Sequence, residues 1–405
     1  MISPTLRCQQ LIKQRREAGL TVFNYGLGAN PFVPDFLTSA NGGLNVGNNY
    51  NYGPLNGSVR LQDSLKRRFP ETATRESRVL LGHGLKELLF VSQMAARGKI
   101  IHITPSWVSY LEQAVSLGRV QGDSLLTLET RREDGFRIDL EKLDRLLEGA
   151  VGGVGGEKEV VMLFNNPNNP TGICYNPEEV QQIASVIKKY PSVIVIADDI
   201  YGEIVFNSEY RSISTFIPDQ TVVGNSFSKN IGCGGYRCGW MFFPPALDDF
   251  YQRCSFQASS VYSCLSMPVQ DWALEVLEKS FLPSKGGKDQ WNSHLVIIRN
   301  RFQSIAKETD IILQLTRLEY IVPNGCWYYL VDFEGYREGL EKIGVSNGDG
   351  IVEWLVKTHG IVTVSGSAFG VTGLVVRISL VDFDGVSPFR IKSGLELLVK
   401  ALEQF

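Results

Sequence analysis

VVMLFNNPNNPTGICYNPEEVQQIASVIKKYPSVIVIADDIYGEIVF, residues 160 to 206, reads as strand, helix and strand in succession. VVMLF (160–164) and VIVIAD (193–198) are short, β-branched runs, each closed by a polar cluster. PEEVQQIASVIKKY (177–190) places Pro177 at a helix start and Lys188 and Lys189 in the last turn. A further run, VVGNSF (222–227), continues the alternation. Such βαβ units indicate an α/β fold with a mainly parallel central sheet and helices on both faces.

Outward from this stretch, the chain is larger than one core usually organises. Its 405 residues are 43% hydrophobic and 10% aromatic, so two domains are expected. GAVGGVGGEK (149–158) is a surface loop by composition. After about residue 285 the texture changes: an amphipathic helix (WNSHLVIIRNRFQSIAKE, 291–308) precedes strand-like CWYYLVDF (326–333) and VVRISLVDF (375–383), an α+β pattern.

Forty basic and forty-three acidic residues give a formal charge of −3. No basic excess speaks for nucleic acid, and a small-molecule partner is expected. The N-terminal segment has helical spacing and no signal-peptide core, and no apolar run is long enough to span a membrane. Seven scattered cysteines suit free thiols in a reducing compartment, so the expected location is cytoplasmic.

Common nucleotide and metal signatures fail. GHGLKE (82–87) begins like a dinucleotide fingerprint but ends on Glu87, no GxxxxGK[ST] occurs, and the four histidines are too dispersed for a metal motif. FNNPNNPTG (164–172) sets a rigid turn at a strand's carboxyl end, the edge where open α/β sheets bind ligands, although an Asn/Pro turn also serves purely structural ends. IADDIYGEIVF (196–206) ends its strand on Asp198, with Tyr201 three residues on; an acid there also serves as a helix cap. SFSKNIGCGGYRCGW (226–240) sets Lys229 and Arg237 eight positions apart on a glycine-rich backbone with no acid between them. Such a backbone can approach a ligand closely, and its two cations suit an anionic one.

In order and spacing, NPNNPTG (166–172), DDIY (198–201), SFSKNIGCGGYRCG (226–239), GSAFG (366–370) and VVRIS (375–379) resemble the class I/II aminotransferases of the aspartate aminotransferase fold. These are fold type I enzymes that use pyridoxal 5′-phosphate. The resemblance runs from GLGANP (26–31) to Arg377. It implies that Lys229 forms the internal aldimine with the cofactor, and a lysine near Arg237 in a desolvated site has its charged form disfavoured. Arg237 corresponds to the arginine that grips the cofactor phosphate, with Ser226 and Ser228 beside it.

By the same resemblance Asp198 pairs with the pyridine nitrogen, and Tyr201 and Asn169 hydrogen-bond the phenolic oxygen. Gly84, Leu85 and Lys86 correspond to the phosphate-cradling turn at a helix N-terminus, although a small residue is usual where Leu85 stands and threonine is common where Gly82 stands. Trp107, in TPSWVSYLEQ (104–113), is the candidate for stacking on the cofactor ring. Tyr52, in YGPLNG (52–57), corresponds to a tyrosine that reaches the neighbouring subunit's phosphate, which implies a homodimer with shared active sites. Arg377 corresponds to the arginine that clamps the substrate α-carboxylate, assisted by Asn169, and Gly28 to a glycine that admits the substrate. Ser365 stands where a proline is usual.

The implied reaction is transamination between an L-amino acid and a 2-oxo acid, with Lys229 as the base that moves the Cα proton. A β-lyase, a decarboxylase, an aminocyclopropane carboxylate synthase or an amino acid oxidase is compatible with the same motifs. A transcriptional regulator with an added DNA-binding domain is not expected, because the residues before Tyr25 leave no room for one. A silent binding protein is disfavoured by the filled lysine, aspartate and arginine positions. The expected division is a large cofactor-binding domain at 46–285 and a small domain from 1–45 and 286–405. FQASSVYSCLSMPVQ (256–270) lacks an arginine for a distal carboxylate, so Tyr262, Cys264 and Leu265 are expected to form a neutral wall. Lys86 and Arg119 are the alternative cations.

Overall fold

A computed structural model describes residues 4–26, 32–33, 51–152, 158–206, 209–284, 289–381 and 391–405. Gly28 and both ends of the expected large domain, 46 and 285, lie outside them. The first strand, β1 (Phe23–Asn24), is short. The next seven are β2 (Arg78–His83), β3 (Lys99–Thr104), β4 (Leu125–Glu129), β5 (Val160–Asn165), β6 (Val193–Asp198), β7 (Thr221–Ser226) and β8 (Cys238–Phe243). They form a seven-stranded sheet in the order β2-β8-β7-β6-β5-β3-β4. Only β8 runs antiparallel to its neighbours.

Every residue of β5 and β6 is buried, as their unbroken apolar runs require of central strands covered on both faces. Helix Pro177–Ile187 starts as read, with Pro177 in its first turn and a reciprocal cap: Asn176 Oδ1 accepts from Glu179 N at 2.9 Å and Glu179 Oε2 from Asn176 N at 2.7 Å. It ends earlier than the spacing implied. Pro191 disfavours helical backbone at Tyr190, and the last turn tightens into Lys189 N→Val186 O and Tyr190 N→Ile187 O bonds. CGWMFF, which the sequence left inside a glycine-rich cradle, is instead the fully buried strand β8.

The remaining strands are β9 (Glu319–Tyr320), β10 (Tyr328–Asp332), β11 (Ile361–Val362), β12 (Val364–Ser365) and β13 (Val375–Ser379). An antiparallel sheet has the order β12-β13-β10-β9, and β1 pairs in parallel with β11, joining the N-terminal segment to the C-terminal part. Helix Gln290–Leu313 packs beside it, burying Trp291, Leu295, Ile298, Phe302, Ile305 and Ile312 at helical spacing.

The two sheets share one core. Phe227 from the SFSK segment packs on Trp240 (centroids 4.8 Å), Trp272 (5.5 Å) and Trp291 (6.1 Å), while Phe302 stacks on Trp327 at 4.9 Å. Arg132, just past β4, reaches the second sheet, pairing with Asp332 at 2.7 Å and Glu319 at 2.5 Å.

Candidate active site

Parallel strands deliver their carboxyl ends to one edge, and there the register sets Asn165 beside Asp198. Asn165 Nδ2 donates to Asp198 O at 2.8 Å, and its Oδ1 accepts from Asn169 N at 2.8 Å. One asparagine thereby fixes the strand end and the following NPNNPTG turn together. The Asp198 carboxylate is buried and accepts from Tyr110 Oη at 2.5 Å and Ile200 N at 3.2 Å. Burial pushes its carboxyl up to about 6, against the opposing pull of those two donors and of Lys229.

Lys229 lies in the four-residue helix Phe227–Asn230 directly after β7. Its Nζ sits 5.8 Å from the Tyr201 ring centroid and 5.7 Å from that of Trp327. Desolvation, then the Arg377 charge, brings the ammonium down to about 8, with Asp198 pulling the other way. The result is an amine that sheds its proton far more readily than a surface lysine. Arg237 contributes a smaller push in the same direction.

At the other end of the segment, Arg237 adopts left-handed backbone (φ 55°) and donates from Nη1 to Gly234 O (2.8 Å) and from Nη2 to His83 O (3.1 Å). Gly84, with φ +81°, opens helix Leu85–Ala95, and a Cβ there would lie 2.5 Å from Arg237 Nη2. Opposite it on β8, a Cβ on Gly239 would lie 2.4 Å from Leu85 N. Bare backbone at both places lets an exposed guanidinium and the N–H groups of a helix start converge, which is what a phosphate monoester requires. Ser226 Oγ caps Ser228 N at 3.2 Å beside them. Leu85 takes part only through its backbone: its side chain is buried against Gly224, which explains how a bulky residue is accommodated. These residues fit pyridoxal phosphate at both its ring and phosphate ends.

The second sheet supplies Arg377 from β13. It is buried, donates from Nη1 to Asn169 Oδ1 (2.8 Å) and from Nη2 to Gly26 O (2.7 Å), and lies over the rings of Tyr328 (4.3 Å) and Phe369 (4.9 Å). Its Nε has no partner among the described residues. Tyr201 Oη pairs with Tyr328 Oη at 3.0 Å, so Tyr201 and Asn169 each bond across to the second sheet rather than to one another.

Trp107 precedes helix Val108–Ser116, edge-on to Tyr110 (5.6 Å, 89°), with Lys86 Nζ 5.3 Å from its ring centroid. Tyr52 is 92% exposed and touches none of these groups within the chain. Arg119 is removed as a candidate cation, since it donates to Gly98 O (2.8 Å) and Ala96 O (2.5 Å). Of the expected neutral wall, Leu265 is withdrawn into the core. Tyr262 and Cys264 are both half-buried, and Tyr262 has its hydroxyl engaged, donating to Leu81 O at 2.6 Å.

Sequence reasoning missed Tyr110, Tyr328 and Phe369. Tyr110 was within reach: it follows Trp107 by three residues, one helical turn. Tyr328 carried no such signal, because an aromatic residue in a strand-like segment reads as core, whereas Phe369 stood unremarked inside the GSAFG motif.

The sequence profile of the family Aminotransferase class I and II matches residues 19–384. A protein of Aquifex aeolicus named probable aspartate/prephenate aminotransferase is 27% identical, covering 99% of this chain and 96% of that one. Aspartate aminotransferase from Thermus thermophilus, solved with maleate, superposes with a TM-score of 0.79 at 21% identity, covering 99% of this chain and 97% of that one. Aromatic aminotransferase from Pyrococcus horikoshii superposes with 0.75 at 20% identity, covering 97% and 99%. With the profile spanning nearly the whole chain and the fold shared with these structures, the chain belongs to the class I and II aminotransferases, pyridoxal-phosphate-dependent enzymes of fold type I.

Proposed function

We propose that Lys229 is the attachment point of the cofactor and the base of a transamination between an L-amino acid and a 2-oxo acid. The observation that carries this reading is the pairing in one buried site of Lys229, an amine lowered to about 8 in part by the Arg377 charge, with Arg377, a guanidinium braced on Asn169. A carboxylate held by Arg377 presents its Cα toward the amine, which takes the Cα proton and returns it. When bound, pyridoxal phosphate supplies the electron sink that makes that proton acidic. Asp198 would supply the negative charge paired with the ring nitrogen, Tyr110 orients that carboxylate and favours its ionised form, and Tyr201 offers a hydroxyl set by Tyr328. Arg237, Gly84, the backbone of Leu85 and Lys86, Ser226 and Ser228 would hold the phosphate, and Trp107 would cover the ring.

The division into a large domain at 46–285 and a small one from 1–45 and 286–405 is part of this proposal, supported by the two sheets and the β1–β11 pairing. So is Gly28 as the substrate-side glycine. A homodimer is supported by exposed Tyr52, Val59, Phe256 and Val261, apolar residues with no cover in one chain. Sedimentation at assay concentration tests it, and a fully active monomer would contradict it. No helix among the described residues is long and apolar enough to cross a membrane. The buried free thiols Cys174, Cys233, Cys238, Cys254 and Cys326 support a cytoplasmic setting, which localisation of the tagged chain would check.

The reaction is tested by mixing the cofactor-loaded enzyme with single amino acids and following both cofactor absorbance and products. Transamination requires one 2-oxo acid released per cofactor converted to its amine form, with no carbon dioxide and no β-elimination product. Carbon dioxide or an eliminated group in that stage would replace this reading with a decarboxylase or a lyase.

A further inference from the structure

Glu203 lies two residues beyond Tyr201 in the turn after β6, and distant parts of the chain converge on it. Its Oε2 accepts from Asn230 Nδ2 at 2.8 Å and its Oε1 from Trp291 Nε1 at 2.7 Å. Its backbone carbonyl accepts from Arg299 Nε at 2.7 Å. Asn230 immediately follows Lys229 and is buried. Its Oδ1 accepts from Ile231 N at 2.9 Å, so the amide is engaged at both ends and its orientation is settled by its bonds.

The helix that carries Lys229 spans only Phe227–Asn230, too short to hold its shape by its own hydrogen bonds. Its geometry depends on what grips its two ends. Phe227 is gripped by the tryptophan cluster that includes Trp291, and Asn230 by Glu203, which Trp291 also engages. Trp291 and Arg299 both belong to helix Gln290–Leu313.

We propose that Glu203 is a positioning residue for Lys229, tying the turn that bears the amine to the turn that bears Tyr201 and both of them to helix Gln290–Leu313. The proposal rests on Lys229 being the cofactor's attachment point. A carboxylate suits the task because both oxygens accept, one for each N–H donor. A carboxamide of the same size has a single acceptor oxygen and turns an NH2 toward the other donor. An amine displaced by about 1 Å loses reactivity on the order of a hundredfold, so even a partial loosening of this clamp is measurable.

The test follows capture of pyridoxal phosphate by cofactor-free protein, read as the rate of growth of visible absorbance and completed by borohydride trapping and peptide mapping. Glu203→Gln, Asn230→Leu and Trp291→Phe are each expected to slow capture by about tenfold or more while circular dichroism reports the parent fold. The double variant Glu203→Gln/Asn230→Leu is expected to be no slower than the slower single variant, because both act through one bond. Trp291→Phe removes the N–H together with part of the buried indole, so Asn230→Leu, close in size and leaving the tryptophan cluster intact, carries the test should Glu203→Gln fail to fold. Parent capture rates in the folded variants, whatever their melting temperatures, would overturn the proposal, as would fully additive slowing in the double variant. Label at a lysine other than Lys229 would instead overturn the attachment reading on which it rests.

Discussion

Tyr110 donates its phenolic hydrogen to Asp198 Oδ2 over 2.5 Å, from a helix that starts 90 residues before the strand bearing the acid has ended, and both side chains are buried. The bond opposes the effect of burial on Asp198, which otherwise raises its carboxyl. Without Tyr110 the carboxylate keeps, among the described residues, one hydrogen-bond donor, Ile200 N, and the more distant charge of Lys229.

Tyr110→Phe is therefore expected to raise the Asp198 carboxyl above its present value of about 6. A carboxyl that protonates at higher pH gives up the charge facing the cofactor ring sooner as pH falls. The variant should release pyridoxal phosphate on dialysis at a pH about one unit higher than the parent, the size of effect of one charge-assisted hydrogen bond. An unchanged retention profile between mildly acidic and neutral pH would contradict this role.

Gly84→Ala adds a Cβ where Arg237 Nη2 now stands 2.5 Å away, on backbone with φ +81°. Strain and displacement of the guanidinium act together here. Cofactor affinity is expected to fall by about a hundredfold, with a stability loss of about 1–2 kcal/mol. Equilibrium titration of the cofactor-free protein and a urea melt separate the two effects, and a loss of stability alone would deny the phosphate cradle.

In the cofactor-free protein the folded chain releases the Lys229 proton at about 8 and the unfolded chain at 10.5. Between those values the unfolded state binds more protons, so this residue's contribution to stability rises with pH there. Below about 8 the buried ammonium carries its full penalty, on the order of 3 kcal/mol. Lys229→Met should thus be more stable than the parent near neutrality, by an advantage that shrinks as pH climbs from about 8 to 10.5. Denaturant melts across that window check the sign, and a pH-independent difference would count against a lowered lysine.

For the substrate, no arginine occurs from Cys254 to Ile298, and Arg119 is committed to backbone carbonyls. Lys86, over the Trp107 ring, is the alternative cation that stays open among the described residues, a solvated point charge rather than a bidentate fork. Phenylalanine and methionine are expected to exceed aspartate in second-order rate constant for the first half-reaction. Single-turnover rates against concentration decide it. If aspartate is fastest and Lys86→Met abolishes its advantage, Lys86 is the distal cation and the neutral-substrate reading is wrong.

The α/β fold was legible because VVMLF and VIVIAD are buried on both faces and therefore uniformly apolar, with a capped helix between them. Asp198, Lys229 and Arg377 were singled out by the order and spacing of the motifs that carry the family resemblance, since an acid ending a strand also reads as a helix cap when taken alone. Tyr110, Tyr328 and Glu203 were not, since each acquires its role from a partner far along the chain. Leu265 dropped out of the expected wall for the complementary reason: local chemistry did not reveal that the core had already claimed it.

The most direct test of the central claim is borohydride reduction of the cofactor-loaded enzyme, followed by proteolysis and mapping of the pyridoxyl label. The account requires the label on Lys229, in near-stoichiometric yield, and its loss from a folded Lys229→Ala variant. Label on Lys86, whose ammonium also stands at the edge of the site over Trp107, would contradict it.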